Sequence, residues 1–205
     1  MQASEQSPSS RWRGWIREIL SLLVMLLLLT AARSSLANHY HVPSSSMEDT
    51  LFPGDRVLVD MRAYGLRIPF SGIELMEGRT PRAGEVVVFA SPRDGTRLIK
   101  RVVAVEGDAV ALVEGRLSIN GQPMALQDSS GKERIGERAV PVKLDRGGGP
   151  DLHVTVPAGQ VLVLGDYRGN SVDGRYFGWV AADALYGQAK TVYYRRGEGF
   201  VWMRL

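Results

Sequence analysis

From residue 56 onward the chain alternates short apolar runs with polar breaks. The runs are RVLVD (56–60), EVVVFA (85–90), RLIKRVVAV (97–105), DAVALV (108–113) and RLSIN (116–120), then LHVTV (152–156), QVLVLG (160–165), KTVYY (190–194) and FVWMRL (200–205). They are rich in valine, and Gly, Pro, Asp or Asn usually bounds them, which predicts strands. Asn120-Gly121 predicts a type I′ turn that closes a hairpin after RLSIN. Only VAADAL (180–185) competes as a helix. Segment 126–151, ending in DRGGGP, is polar and glycine-rich and predicts a flexible excursion. The expected fold class is all-β, a coiled antiparallel sheet of barrel-like form.

The pattern before residue 40 is different. ILSLLVMLLLLTAA (19–32) is uncharged and almost wholly apolar. As a helix those residues reach about 21 Å, and adding Trp15 to Glu18 gives about 27 Å, close to a bilayer core. Arg11, Arg13 and Arg17 precede the run, which predicts a cytoplasmic N-terminus and export of everything after Arg33. A cleavable leader is the alternative, with Ser35-Leu36-Ala37 as a small-x-small cleavage site. The expected organisation is a cytoplasmic tail (1–14), one transmembrane helix (15–33) and an extracytoplasmic β domain (38–205), within which 106–158 forms a hairpin and loop excursion.

Composition narrows the chemistry. The net charge is +3, from scattered cations with no basic face, so no nucleic acid is expected as a partner. The absence of cysteine excludes disulfides and thiolate metal sites. The three histidines, His39, His41 and His153, have no acidic cluster beside them, so no metal and no other cofactor is expected. Nor does any motif pair a histidine with an aspartate for a triad.

One strand carries an anomaly. In RLIKRVVAV, Lys100 alternates with Leu98, Val102 and Ala104, and Arg101 with Ile99, Val103 and Val105. Both faces are apolar, so at least one cation must find a partner or leave for solvent. An edge strand with both side chains reaching water is one reading. The other is chemical: burial lowers a lysine pKa by up to about 3–5 units, giving a neutral amine that can deprotonate a hydroxyl. Such a base needs a serine on a turn beside it. VPSSSMEDTLFPGD (42–55) offers three consecutive serines directly after the apolar segment.

Together these stretches resemble the type I signal peptidases, membrane-anchored serine endopeptidases of the Ser-Lys dyad class. ARSSLANHYHVPSSSMEDTL is similar to the family's anchor exit and nucleophile box, and GDRVLVDMRAYGLRIP and PRAGEVVVF resemble the next two boxes. RLIKRVVAVEGD looks like the lysine box, and VPAGQVLVLGDYRGNSVDGRYFGWV like the last. The resemblance implies Ser46 as nucleophile and Lys100 as general base, with Ser44 and the Ser46 amide forming the oxyanion hole. It implies that Ser171 hydrogen-bonds Lys100, that Asp173 pairs with Arg175, and that Asp166 and Arg168 brace the loop. Tyr40, Val42, Met47, Leu51, Leu98 and Ile99 match the walls of shallow pockets that admit small residues; plain core packing is the alternative for them. The implied partners are exported preproteins, the lipid bilayer and the export machinery, with the catalytic domain on the outer face of the cell membrane.

The chain departs from the family pattern at Tyr167, Gly169 and Gly174 in the last box, and at Glu48 and Asp49 after the nucleophile. A carboxylate within about 4–6 Å of Lys100 would favour the ammonium. Both side chains at 48 and 49 are therefore expected to point away from the amine, toward solvent. A specialised peptidase of conjugative transfer or pilus maturation, and a catalytically silent peptide-binding relative, are the alternative functions.

Overall fold

The computed structural model describes residues 12, 14–26, 37–67, 74–76, 78–127 and 130–205. Two compact units are present, residues 1–36 and 37–205. In the first, residues 14–26 are helical, and Trp15, Ile16, Leu20, Leu22, Leu23 and Leu26 are all exposed. Among the described residues no helix is long and apolar enough to cross a membrane. Residues 27–33 of the expected anchor, and most of the expected tail, lie outside the described residues.

The second unit is built almost wholly of strands: β1 (Ala37–His41), β2 (Arg56–Asp60), β3 (Leu66–Arg67), β4 (Glu74–Met76), β5 (Val86–Ala90), β6 (Arg97–Val105), β7 (Ala109–Val113) and β8 (Arg116–Ile119). There follow β9 (Gln122–Pro123), β10 (Lys132–Ile135), β11 (Arg138–Pro141), β12 (Leu152–Thr155), β13 (Gln160–Leu164), β14 (Val180–Ala181), β15 (Leu185–Arg195) and β16 (Gly199–Arg204). The main sheet runs β1-β2-β15-β5-β6-β13-β14, with β16 paired to β15. All its described pairings are antiparallel. The barrel-like closure expected from sequence is not formed: β1 and β14 lie at opposite ends of an open sheet. Bulges interrupt β15 against β2, β5 and β16, and β13 against β6, which increases local twist without closing the ring.

The valine-rich runs are strands because their side chains fill both faces of this sheet. Val57, Val59, Val86 and Val88 pack with Val42, Met47 and Leu51; Val87, Phe89, Val102 and Val163 fill a second cluster. VAADAL, the one helical competitor, supplies β14 and a single 3₁₀ turn, Ala182–Ala184.

Residues 106–158 do leave the main sheet, but not as flexible chain. β12-β7-β8-β9 form a second sheet, and Asn120 (φ 51°) and Gly121 (φ 77°) both take positive φ in the β8–β9 turn, as a type I′ turn requires. The stretch read as a flexible excursion contains the β10–β11 hairpin. Ile135 and Val140 pack with Leu117, Val103 and Leu162, so the excursion shares a core with the main sheet. Alternation in KERI, with Glu133 and Ile135 inward, is the signal that the glycine-rich composition obscured.

Candidate active site

The serines sit in the connection between β1 and β2. Turn hydrogen bonds close it, Leu51 and Thr50 N–H groups donating to the Met47 carbonyl and the Val42 N–H to the Asp55 carbonyl. Val42, Met47 and Leu51 are fully buried and pin the turn to the core, and Arg195 of β15 holds Asp55 at 2.9 Å. This packing leaves Ser44 exposed and Ser46 buried, their hydroxyl oxygens 3.3 Å apart.

Lys100 and Arg101 lie on β6, a central strand flanked by β5 and β13, and each is only 3% exposed. The edge-strand reading is therefore excluded. Arg101 is satisfied by a bidentate pair with Asp166, Nε to Oδ1 at 2.9 Å and Nη2 to Oδ2 at 2.7 Å, and by the Gly84 carbonyl. Among the described residues Lys100 has no ion-pair partner. Its Nζ lies 2.5 Å from Ser46 Oγ, across 54 positions of sequence. Burial pushes its pKa down to about 8 from 10.5; Asp173 and Asp166 pull it partly back up, and Arg175 opposes them.

The catalytic-loop candidates follow β13. Asp173 receives Arg175 through two 2.8 Å bonds and the Gly165 N–H at 2.9 Å, and caps the four-residue helix Gly174–Phe177. Asp166 takes Arg101 and the Thr50 hydroxyl, at 2.5 Å for the latter, so it ties the loop to both β6 and the serine turn. Arg168 reaches away into the excursion, to Glu133 at 2.6 Å and the Gly115 carbonyl at 2.7 Å. Ser171 differs from expectation. It is buried, yet its hydroxyl has no hydrogen-bond partner among the described residues, so the expected bond to Lys100 is not made. Ser171 Oγ instead packs against the α-carbon of Gly165; a Cβ there would collide with both this oxygen and the Ser46 carbonyl oxygen.

The expected pocket walls are also rearranged. Val42, Met47, Leu51 and Ile99 are interior core with Tyr40 packed against them, while Leu98 packs in the cluster of Phe89 and Val102. At 0–3% exposure the first four back the serine turn rather than line an open cleft. Tyr40 borders a small cavity of about 60 Å³ with Val88, Arg97 and Tyr186.

Of the departures, Glu48 pairs its carboxylate with Lys143 Nζ at 3.0 Å and is not among the charges that act on Lys100. It reaches a partner rather than open solvent. Asp49 is exposed. Gly174 has no room for a side chain, because a Cβ would come within 2.9 Å of the Val163 carbonyl oxygen as well as 2.7 Å of Leu162 Cδ1. Sequence reasoning missed Glu133, Lys143, Thr50 and Asn170, which braces the serine turn through Ser45 Oγ at 2.7 Å.

A serine hydroxyl 2.5 Å from the amine of a buried lysine on a β scaffold defines the site class: a Ser-Lys pair. Residues 12–194 match the family "Signal peptidase, peptidase S26", and the chain belongs to that family. It is 33% identical over 173 residues to signal peptidase I of Pseudomonas aeruginosa, covering 77% of this chain and 61% of that one. It is 30% identical to the probable signal peptidase I-2 of Synechocystis sp., covering 92% and 77% respectively. A crystallised signal peptidase I from Enterococcus faecalis V583 is 30% identical, with a TM-score of 0.42 over 54% of this chain and 97% of that one. The chain thus spans about three-fifths of the Pseudomonas relative's length, 61%.

Proposed function

We propose that the chain is a serine endopeptidase that removes N-terminal signal peptides from exported preproteins, cutting after small residues of Ala-x-Ala type. The 2.5 Å approach of the buried Lys100 amine to Ser46 Oγ carries this reading. In its neutral form the amine accepts the Ser46 proton as Oγ attacks the scissile carbonyl carbon. The tetrahedral oxyanion is stabilised by the Ser46 amide and the Ser44 hydroxyl; one such donor is worth about 2.7–4 kcal/mol. The lysine then gives the proton to the leaving amine, which departs as the mature N-terminus. A water, deprotonated by the same lysine, hydrolyses the acyl-enzyme and restores Ser46.

The bias of the site toward the free base follows from its charges. Asp166 and Asp173 lie close enough to act on the amine, and each is paired with a guanidinium, Arg101 and Arg175 respectively. Burial therefore outweighs them. We assign residues 15–33 to a single membrane anchor with the N-terminus cytoplasmic, a reading supported by the exposed apolar residues of helix 14–26 and the arginines before it. Preproteins, the bilayer and the export machinery are the partners this placement implies.

Incubation of the full chain with a preprotein carrying an Ala-x-Ala site tests the reading. Wild type is expected to release a product whose N-terminus follows the second alanine, and Ser46→Ala to release none above background. Cleavage by Ser46→Ala at the wild-type rate would remove Ser46 as nucleophile.

A further inference from the structure

Three of the departures from the family pattern face one short segment outside the Ser-Lys site. Glu48 pairs with Lys143 Nζ at 3.0 Å. Tyr167, buried at 4% exposure, lies under the Lys143 ammonium, 4.6 Å from ring centre, and near the Arg146 guanidinium at 5.9 Å. At position 169 a side chain would collide with the backbone of the same segment, a Cβ falling 2.5 Å from the Gly147 carbonyl oxygen. Backbone hydrogen bonds register the two pieces, Lys143 N–H to the Asp166 carbonyl and Arg168 N–H to the Lys143 carbonyl, both 3.0 Å. The Tyr167 N–H in turn donates to the Ser46 carbonyl at 3.2 Å. Lys143 is thus joined to the serine turn twice, through its backbone by way of Tyr167 and through its ammonium by way of Glu48.

The charges near the site follow one rule. Asp166 is matched by Arg101 and Asp173 by Arg175, and Glu48, two residues beyond Ser46, is matched by Lys143. We infer that Lys143 is a positioning residue of the dyad, neutralising the carboxylate this chain carries at position 48 and clamping the serine turn against the catalytic loop. The inference rests on the dyad reading above and adds a residue to it. The charged groups acting on Lys143 are Glu48 and Asp49 from the serine turn and Asp145 from its own segment; Tyr167 faces it from the loop, with Arg146 near the same ring. Its hydrogen bond to Glu48 holds the ammonium above its ordinary value, with burial opposing. Those acting on Lys100 are Asp173, Asp166 and Arg175. With Lys143 gone, Glu48 loses the cation that holds it off the dyad, and its side chain, two residues beyond Ser46, is released to turn toward the amine, where a carboxylate favours the protonated form.

The chain has four lysines, Lys100, Lys132, Lys143 and Lys190, so each side-chain amine can be followed by NMR in the full chain carrying ¹³C-labelled lysine, with Lys100→Met fixing the assignment. In Lys143→Met the titration midpoint of Lys100 is expected to rise by about 0.5 pH unit, a roughly threefold loss of free base near neutrality. Glu48→Gln alone is expected to lower it, because Lys143 then stands unpaired, and Lys143→Met with Glu48→Gln to restore the wild-type midpoint. A purely structural role for Lys143 would not be rescued by Glu48→Gln. An unchanged midpoint in both single variants, or a shift that persists in the double variant, overturns the inference. The titration needs no substrate, so its outcome is separate from wild-type cleavage at an Ala-x-Ala site, which tests the enzymatic reading.

Discussion

Lys100→Met is expected to abolish cleavage and, in the same protein, to raise stability at pH 7. Loss of the proposed general base is expected to lower kcat/KM by about 1,000-fold. The gain in stability comes from the sign of the pKa change. Burial holds the amine at about 8 in the folded chain, below the ordinary 10.5 it regains on unfolding. Between those two values the unfolded chain binds more protons, so wild-type stability rises with pH; below pH 8 the whole penalty is present. At about 1.36 kcal/mol per pH unit it amounts to about 3 kcal/mol. Methionine keeps the apolar stem without the charge, and the lost contact with Ser46 returns about 1 kcal/mol, leaving a net gain of about 2 kcal/mol. Denaturant unfolding of both chains from pH 7 to pH 11 measures this. The gap is expected to shrink as pH rises above 8, pass through zero before 10.5 and end about 1 kcal/mol in favour of wild type, and a gap of opposite sign at pH 7 would show that the amine is not strained by burial.

Arg168→Met is expected to have the largest effect on folding itself. Arg168 is fully buried, and its guanidinium satisfies the Glu133 carboxylate and the Gly165 and Gly115 carbonyls. Glu133 also accepts the Leu117 N–H, so it cannot turn to solvent without breaking the second sheet. Removing the cation alone strands a buried carboxylate and two carbonyls, at about 3–5 kcal/mol. For a chain of this size that lowers Tm by roughly 10 °C. The double variant Arg168→Met with Glu133→Leu is expected to recover the part of the loss due to the stranded carboxylate but not all of it, because the Gly165 and Gly115 carbonyls and the Leu117 N–H then remain unpaired. Equal Tm values for the single and double variants would show that the pair is not the cause. Arg168 shares its loop with Asp166 and Asp173, so the same contact transmits the fold of the excursion to the residues around Lys100.

Much of this was legible in the sequence, and for identifiable reasons. The valine runs are strands wherever both faces of the main sheet are covered, as in β5 and β6, because a continuous apolar run has no other stable use at that length. Lys100 and Arg101 stood out because their neighbours on both faces are apolar, and the structure places the pair in a central strand. Asn120-Gly121 marked its turn by its conformational freedom alone. The β10–β11 hairpin was hidden because two short strands embedded in glycine and charge carry little periodicity, and their burial comes from contacts with β6 and β13. Lys143 was invisible for a stronger reason: nothing in its own neighbourhood signals that Glu48, 95 positions away, needs a cation. The expected Ser171 bond failed on a packing detail, the placement of its hydroxyl against Gly165, which no pattern encodes. Likewise, Val42, Met47 and Leu51 could be recognised as apolar and near the serine, but only packing decides that they face inward.

The dependence of kcat/KM on pH, measured with an Ala-x-Ala preprotein and the full chain, bears most directly on the central proposal that the free amine of Lys100 activates Ser46. At low pH the rate constant is expected to climb tenfold per pH unit as the amine loses its proton, and to level off near pH 8. A rate constant still climbing past pH 10, or one flat from pH 6 to pH 10, would contradict it.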